Sequence, residues 1–146
     1  MTEAGETRGY KYLDHTADKA VEVWGESIHD VFVLAAEAMF GISEDLATIS
    51  RDHEWTIEVE AESPEDLLHA WLSELLWVSE RDGAIPCEFE IEELDERQWR
   101  LRAKARGGPA PAEMPSTAAP VKAVTYHDLS VWREDGAWKA SVVFDV

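Results

Sequence analysis

The chain has very little cysteine and few basic residues. Cys87 is its single cysteine, which excludes an internal disulfide and a zinc site built from several thiolates. Lysine and arginine number 13 against 31 aspartates and glutamates, giving a net charge of −18 over 146 residues. A chain this acidic repels the phosphate backbone, so we expect no stable direct binding of nucleic acid.

Long apolar runs and an N-terminal leader pattern are also missing. No apolar stretch approaches the roughly 20 residues that a membrane-spanning helix requires. The first residues, 1–6, lack the basic and apolar regions of a secretory signal. We therefore expect a cytoplasmic protein without membrane association. At 146 residues and 45% apolar content, the chain has the size of a single domain spanning 1–146.

The sequence does contain clear patterns of secondary structure. Ser27 precedes apolar residues at helical spacing, and Ser63 followed by Pro64 opens a second such segment, which predicts two amphipathic helices. Residues of β-forming type, several of them alternating with a period of two, predict strands over 10–13, 20–24, 56–60, 88–94, 99–106, 122–126, 129–133 and 138–144. Residues 107–120 shift to glycine, proline, alanine and serine, which predicts a long mobile loop, and residues 1–9 are predicted to be a flexible N-terminus.

A polar cluster near the start of the chain indicates a cation site. Asp14, His15 and Asp18 lie in a predicted loop between two strands, and the sequence closes on Asp145 and Val146. A carboxylate next to a terminal carboxylate offers several hard oxygen ligands, and Asp18 can add another. The expected ligand set therefore suits a divalent cation.

Two other functions fit parts of the same pattern. His15, Asp18, His127 and Asp128 could form the His/Asp metal centre of a phosphohydrolase, in which the metal activates water. A general chaperone-like assembly factor is a further alternative, since an acidic surface can hold basic clients. The other histidines, His29, His53 and His69, are interpreted as solvated residues without a partner.

One predicted strand carries four cations on one face. An anion-binding stripe is one interpretation. The preceding strand alternates glutamates with apolar residues, so a cross-strand ladder of opposite charges is the interpretation we favour. The residues concerned are Arg100, Arg102, Lys104 and Arg106, opposite Glu88, Glu90 and Glu92.

Several motifs, in order and over nearly the whole chain, resemble the archease family. The most specific are His15-Thr16-Ala17-Asp18 and Lys122-Ala123-Val124-Thr125-Tyr126-His127. The full set is Tyr12–Asp18, Trp24–Gly25, Ala38–Phe40, Leu67–Leu76, Val121–His127 and Phe144–Val146. Three positions depart from the family's usual pattern: Lys19, Ala20 and Gly108.

The resemblance implies an α+β fold, a single domain with a curved mixed β-sheet and two helices on one face. It also implies a non-catalytic activator of an RtcB-type RNA ligase in tRNA splicing and RNA repair. In that family the activator promotes GTP-dependent guanylylation of the ligase and sustains multiple turnover. The expected partner is therefore an RtcB-type ligase, and the protein is not expected to be an enzyme.

Carried over residue by residue, the resemblance implies that Asp18, Asp145 and Val146 hold a divalent metal ion. Hard oxygen ligands favour Ca²⁺, with Mg²⁺ and Mn²⁺ as alternatives. A second group is expected to support those ligands or to face the partner: Asp14, His15, Lys122, Tyr126 and His127.

Overall fold

The computed structural model describes residues 7–13, 18–110 and 120–146. Within these ranges the strands are β1 (Gly9–Leu13), β2 (Asp18–Gly25), β3 (His53–Glu60), β4 (Ala84–Asp95), β5 (Arg100–Pro109), β6 (Ala123–Val124), β7 (Ser130–Glu134) and β8 (Ala137–Asp145). The helices are α1 (Ile28–Gly41) and α2 (Pro64–Asp82), with a 3₁₀ turn at Leu46–Thr48. None of the described helices is long and apolar enough to cross a membrane.

Both helices begin where their capping residues predict. The Ser27 hydroxyl accepts a hydrogen bond from the Asp30 N–H, and the Ser63 hydroxyl accepts one from the Asp66 N–H. Each serine thereby satisfies an amide that has no partner inside its helix. Helix α2 ends at Gly83, whose left-handed backbone (φ 64°) favours glycine.

The described strands form two sheets. The first has the order β1-β2-β8-β6, with β7 also paired to β8, and the second has the order β3-β5-β4. Every described pairing is antiparallel. The predicted α+β class with two helices is confirmed, and the strands are divided between two antiparallel sheets rather than joined in one mixed sheet.

Helix α1 explains this division. Its buried residues lie around most of the helix, so one sheet could not cover all of them. They are Ile28, Val31, Phe32, Leu34, Ala35, Ala36, Ala38, Met39 and Phe40. The helix contacts β2 and β8 of the first sheet and β4 of the second. Helix α2 joins the same core, where the indole N–H of Trp71 donates to the Phe32 carbonyl at 3.0 Å.

The predicted loop over 107–120 is wrong at its start, because β5 continues to Pro109. A Cβ atom at Gly107 would collide with the Ile85 carbonyl, and one at Gly108 would collide with the Ser50 hydroxyl. Glycine is needed here for close backbone approach inside the sheet, not for a loop. Residues 111–119 lie outside the described residues, as do 1–6 of the predicted N-terminus, while β1 already begins at Gly9.

Candidate functional site

Two aspartates meet at one end of the first sheet. Asp18 opens β2 and Asp145 closes β8, and the two residues pair directly across these antiparallel strands. Directly opposed residues have Cβ atoms about 4.5–5.5 Å apart, so two like charges face each other on the same side of the sheet. We call Asp18 and Asp145 the acidic pair.

The acidic pair lies on the outer face of this sheet. Val21 and Val23 of β2 point into the core, so strand alternation directs Asp18 to the opposite side. The next register position on that side pairs Ala20 with Val143, which are both buried and carry no charge. The register position beside the acidic pair on this side is therefore apolar.

Lys19 does not share the face of the acidic pair. It pairs with Phe144, whose side chain is fully buried, and alternation directs Lys19 to the helix-facing side of the sheet. Lys19, the first of the three departures, therefore adds its charge on the other side of the sheet. Ala20, the second departure, fits the buried register position opposite Val143.

Strand β6 brings the second motif to the acidic pair. Ala123 pairs with Asp145 on the edge of β8 opposite to Asp18. The Lys122 N–H donates to the Asp145 carbonyl at 2.7 Å, and the Thr125 N–H and hydroxyl both donate to the Val143 carbonyl. The strand predicted over 122–126 is shorter than expected, at Ala123–Val124, and the chain turns at His127 and Asp128.

The donors at this site are hard oxygens, which suit Ca²⁺, Mg²⁺ or Mn²⁺. Asp18 and Asp145 supply two carboxylates, and Val146 follows Asp145 with its side chain packed against the core. Asp14 and His15 lie outside the described residues. Among residues 7–13, 18–110 and 120–146, no group of three or more His, Cys, Asp or Glu side chains is placed to hold a metal ion.

His69 contacts the segment that carries the second motif. Its Nε2 lies 3.0 Å from the Val124 carbonyl, and its ring stacks on Tyr126 with centroids 3.9 Å apart and an interplanar angle of 8°. The interpretation of His69 as a solvated residue without a partner is therefore wrong. Spacing along the sequence could not reveal this contact, because His69 and Val124 are 55 residues apart.

His53 also has neighbours that its sequence context did not suggest. Its ring stacks on Trp55, and its Nε2 lies 4.0 Å from an Asp82 oxygen. The Asp82 carboxylate accepts hydrogen bonds from Arg81 and from the Trp55 indole, and these bonds hold the pKa of Asp82 well below its usual range. This cluster lies at the far end of α2 from its N-terminus.

Tyr126 and His127 are presented to solvent. Tyr126 is 64% exposed although its ring stacks on His69. The Nε2 of His127 lies 3.3 Å from an Asp128 oxygen, and both side chains are exposed. A catalytic metal centre needs several fixed ligands in a shaped cavity, and this exposed pair of neighbouring residues does not resemble one.

Tyr12 anchors the strand that leads to the first motif. Its hydroxyl donates to the Ala38 carbonyl of α1 at 2.9 Å. Burial, with a smaller contribution from Tyr10, raises the pKa of Tyr12 to about 12. The neutral phenol is therefore a constant donor at neutral pH, and it attaches the end of β1 to α1.

The cationic stripe on β5 forms the predicted charge ladder. Arg106 contacts Glu54 at 3.0 Å and Glu90 at 3.4 Å, and Arg102 contacts Glu92 at 3.4 Å. Lys104 lies 4.0 Å from Glu54. The sequence did not predict that β3 is a second partner strand of β5. Because β5 lies between β3 and β4, its cations contact glutamates on both sides.

Comparison with known proteins agrees with these observations. Residues 10–146 match the model of the Archease protein family. Protein archease of Methanopyrus kandleri is 39% identical over 138 residues, covering 94% of this chain and 99% of that protein. Protein archease of Methanosarcina mazei is 37% identical over 139 residues, covering 94% and 95%.

Two solved structures have the same fold. The solution structure of Methanobacterium thermoautotrophicum protein 1598 has a TM-score of 0.81 and 31% identity, covering 94% of this chain and 99% of that one. The crystal structure of an archease from Thermotoga maritima, described as a possible chaperone, has a TM-score of 0.66 and 24% identity, covering 93% and 96%. On the match over residues 10–146 and these relatives, the chain belongs to the archease family.

Proposed function

We propose that this protein is a non-catalytic activator of an RtcB-type RNA ligase. In this proposal it promotes GTP-dependent guanylylation of the ligase and multiple turnover during tRNA splicing and RNA repair. A divalent metal ion, Ca²⁺ in the first instance, is held by Asp18, Asp145 and oxygen atoms of Val146. When bound, the ion supplies positive charge that neutralises the acidic pair.

The observation that carries the proposal is the register of Asp18 against Asp145. Like charges directly opposite each other in a sheet are destabilising, so a site that retains both carboxylates gains from a bound cation. The pair also lies where two motifs typical of the family meet, because Asp145 is flanked by Asp18 on one side and Ala123 on the other. Membership of the archease family supports the assignment.

The exposed residues beside the acidic pair supply the proposed ligase contact. Lys122, Tyr126 and His127 belong to the segment that β6 fixes next to Asp145. Tyr126 and His127 are exposed, and an exposed aromatic ring is a common anchor in protein interfaces. The same segment therefore links the metal ion to the partner.

The test is ligase guanylylation with GTP and Ca²⁺, with the cognate ligase at low concentration. We expect this protein to accelerate transfer of label from GTP to the ligase. Asp18→Asn and Asp145→Asn should each reduce that acceleration at least about tenfold, which corresponds to about 1.4 kcal/mol. Glu22→Gln is the matched control, because Glu22 lies on the same face of β2 but pairs with Lys11 at 3.6 Å.

Four outcomes would count against parts of the proposal. Full stimulation by both aspartate variants would remove the acidic pair from the mechanism. No stimulation by the unmodified protein at any ratio to ligase would reject the activator role. Hydrolysis of phosphoesters by the protein alone, lost in His127→Ala, would favour the phosphohydrolase alternative, and suppressed aggregation of unrelated proteins would favour a general chaperone.

A further inference from the structure

We infer that His69 is a positioning residue that holds β6 and Tyr126 in place beside the acidic pair. The inference deepens the proposed function and rests on it for its functional consequence. His69 lies on α2 and touches neither Asp18 nor Asp145 in the described contacts, so its effect on them passes through β6.

The hydrogen bond to Val124 fixes the protonation of one ring nitrogen. A carbonyl oxygen only accepts hydrogen bonds, so Nε2 of His69 must carry the proton across the 3.0 Å contact. In the neutral ring Nδ1 is then an acceptor, and the Ser73 hydroxyl lies 3.4 Å away, one helical turn along α2. Both nitrogens of His69 are therefore engaged.

The Val124 carbonyl needs a partner outside its own sheet. Thr125 donates its N–H to the Val143 carbonyl, and hydrogen bonding alternates between residues of an antiparallel strand. The polar backbone groups of Val124 are consequently directed away from β8. His69 meets this carbonyl from α2 and ties the helix to the outer edge of β6.

The stacked ring adds a second contact two residues later. His69 and Tyr126 are almost parallel, with centroids 3.9 Å apart. Tyr126 is exposed, so His69 supports an aromatic ring that would otherwise have few neighbours. One imidazole thereby fixes both the backbone and an exposed side chain of the same segment.

Strand β6 is short, and besides the contacts with His69 its polar attachments are hydrogen bonds from Lys122 and Thr125 to β8. It is two residues long and pairs with β8 at Ala123–Asp145 and Val124–Phe144. Loss of the His69 contact should therefore loosen the Lys122 N–H bond to the Asp145 carbonyl. That loosening would move Asp145 relative to Asp18 and weaken the metal site.

The test compares two substitutions that separate the hydrogen bond from the stack. His69→Phe keeps a ring against Tyr126 and removes the donor, while His69→Gln removes the ring and keeps an N–H near the position of Nε2. His29→Gln is the matched control, because His29 is an exposed residue of α1. Amide hydrogen exchange, Ca²⁺ affinity and ligase guanylylation are measured for each variant.

We expect His69→Phe to speed exchange of the Lys122 and Thr125 amides at least about tenfold and to weaken Ca²⁺ binding about three- to tenfold. Exchange in the interior of α1 should not change. His69→Gln should restore slow exchange at both amides while raising the protein concentration that gives half-maximal ligase stimulation. His29→Gln should behave like the unmodified protein.

Unchanged exchange and Ca²⁺ affinity in His69→Phe would overturn the inference. Faster exchange throughout α1 and α2 in both variants would also overturn it, since that result indicates a general loss of stability. The exchange measurement needs neither metal nor ligase. If Asp18→Asn binds Ca²⁺ as tightly as the unmodified protein, the proposed metal site fails, and exchange at Lys122 and Thr125 still decides whether His69 positions β6.

Discussion

The charge ladder of the second sheet and the acidic pair of the first sheet arrange their carboxylates in opposite ways. On the second sheet, Glu54, Glu90 and Glu92 each meet an arginine of β5. On the first sheet, Asp18 and Asp145 meet each other. In the ladder, the carboxylates are neutralised by cationic side chains. A like-charge pair at a strand end is instead stabilised when it binds a cation from solution. The arrangement of charges, rather than their number, therefore distinguishes a structural surface from a candidate cation site.

The comparison predicts that Ca²⁺ stabilises the protein through the first sheet alone. A ligand at 100 times its dissociation constant stabilises the folded state by about 2.7 kcal/mol. For a chain of this size that raises the melting temperature by about 5–10 °C. Thermal unfolding with Ca²⁺ and with EDTA measures the shift, and Asp145→Asn should abolish it. Glu54→Gln, a change in the ladder, should leave the shift intact.

A cationic side chain placed beside Asp145 should neutralise the acidic pair in the way that arginines neutralise the glutamates of the charge ladder. Ala123 is exposed and pairs with Asp145, so Ala123→Lys puts an ammonium group next to that carboxylate. We expect Ca²⁺ affinity to fall at least about tenfold, or about 1.4 kcal/mol. Isothermal titration calorimetry measures the affinity, with Ala123→Gln as a control of similar length. Equal affinities for the two variants would contradict the proposed position of the ion.

The reverse change introduces a like-charge cluster into the second sheet. Arg106 contacts both Glu54 and Glu90, so Arg106→Glu leaves three carboxylates together. We expect the melting temperature to fall by about 2–4 °C at low salt. High salt should recover part of this loss because it screens exposed charges. Arg106→Gln should have a smaller effect, and an equal effect of both variants would indicate lost packing instead of repulsion.

Local signals in the sequence predicted much of this arrangement. The serine caps at Ser27 and Ser63 located both helices, and the alternation along β4 and β5 predicted the charge ladder, because each depends on neighbouring residues. The turn between β7 and β8 also depends on neighbouring residues, because Asp135 and Gly136 both adopt the positive φ that such hairpins require.

Contacts between distant segments could not be predicted in this way. Gly107 and Gly108 belong to a strand because Ile85 and Ser50 approach them closely, and no nearby residue carries that information. The same holds for His69, whose partners Val124 and Tyr126 lie in and just after β6, and for β3 as the second neighbour of β5. For the acidic pair, the residue types and the resemblance to a family pointed to Asp18 and Asp145, and the strand register places them opposite each other.

Removal of one charge from the acidic pair should stabilise the protein when no metal is present. Like charges directly opposite in a sheet cost roughly 0.2–1 kcal/mol, so Asp145→Asn should raise the melting temperature in EDTA by up to about 3 °C. The same variant should be less stable than the unmodified protein in saturating Ca²⁺. This reversal of order between the two conditions is the critical result. A lower melting temperature in both would mean that Asp145 stabilises the fold independently of metal.

The smallest effect on Ca²⁺ affinity is expected from a charge reversal at Lys19. It tests whether the face of the sheet on which a charge lies matters more than its separation from Asp18 along the chain. Lys19 is adjacent to Asp18 but lies on the other side of β2, opposite Phe144. Charges that are exposed and separated by about a Debye length are largely screened at physiological salt. We therefore expect Lys19→Glu to change Ca²⁺ affinity less than about threefold in calorimetry at 0.15 M salt. A Ca²⁺ affinity at least tenfold higher in Lys19→Glu would show that Lys19 repels the ion directly. A glutamate close to a bound divalent cation strengthens its binding, whereas a distant one does not.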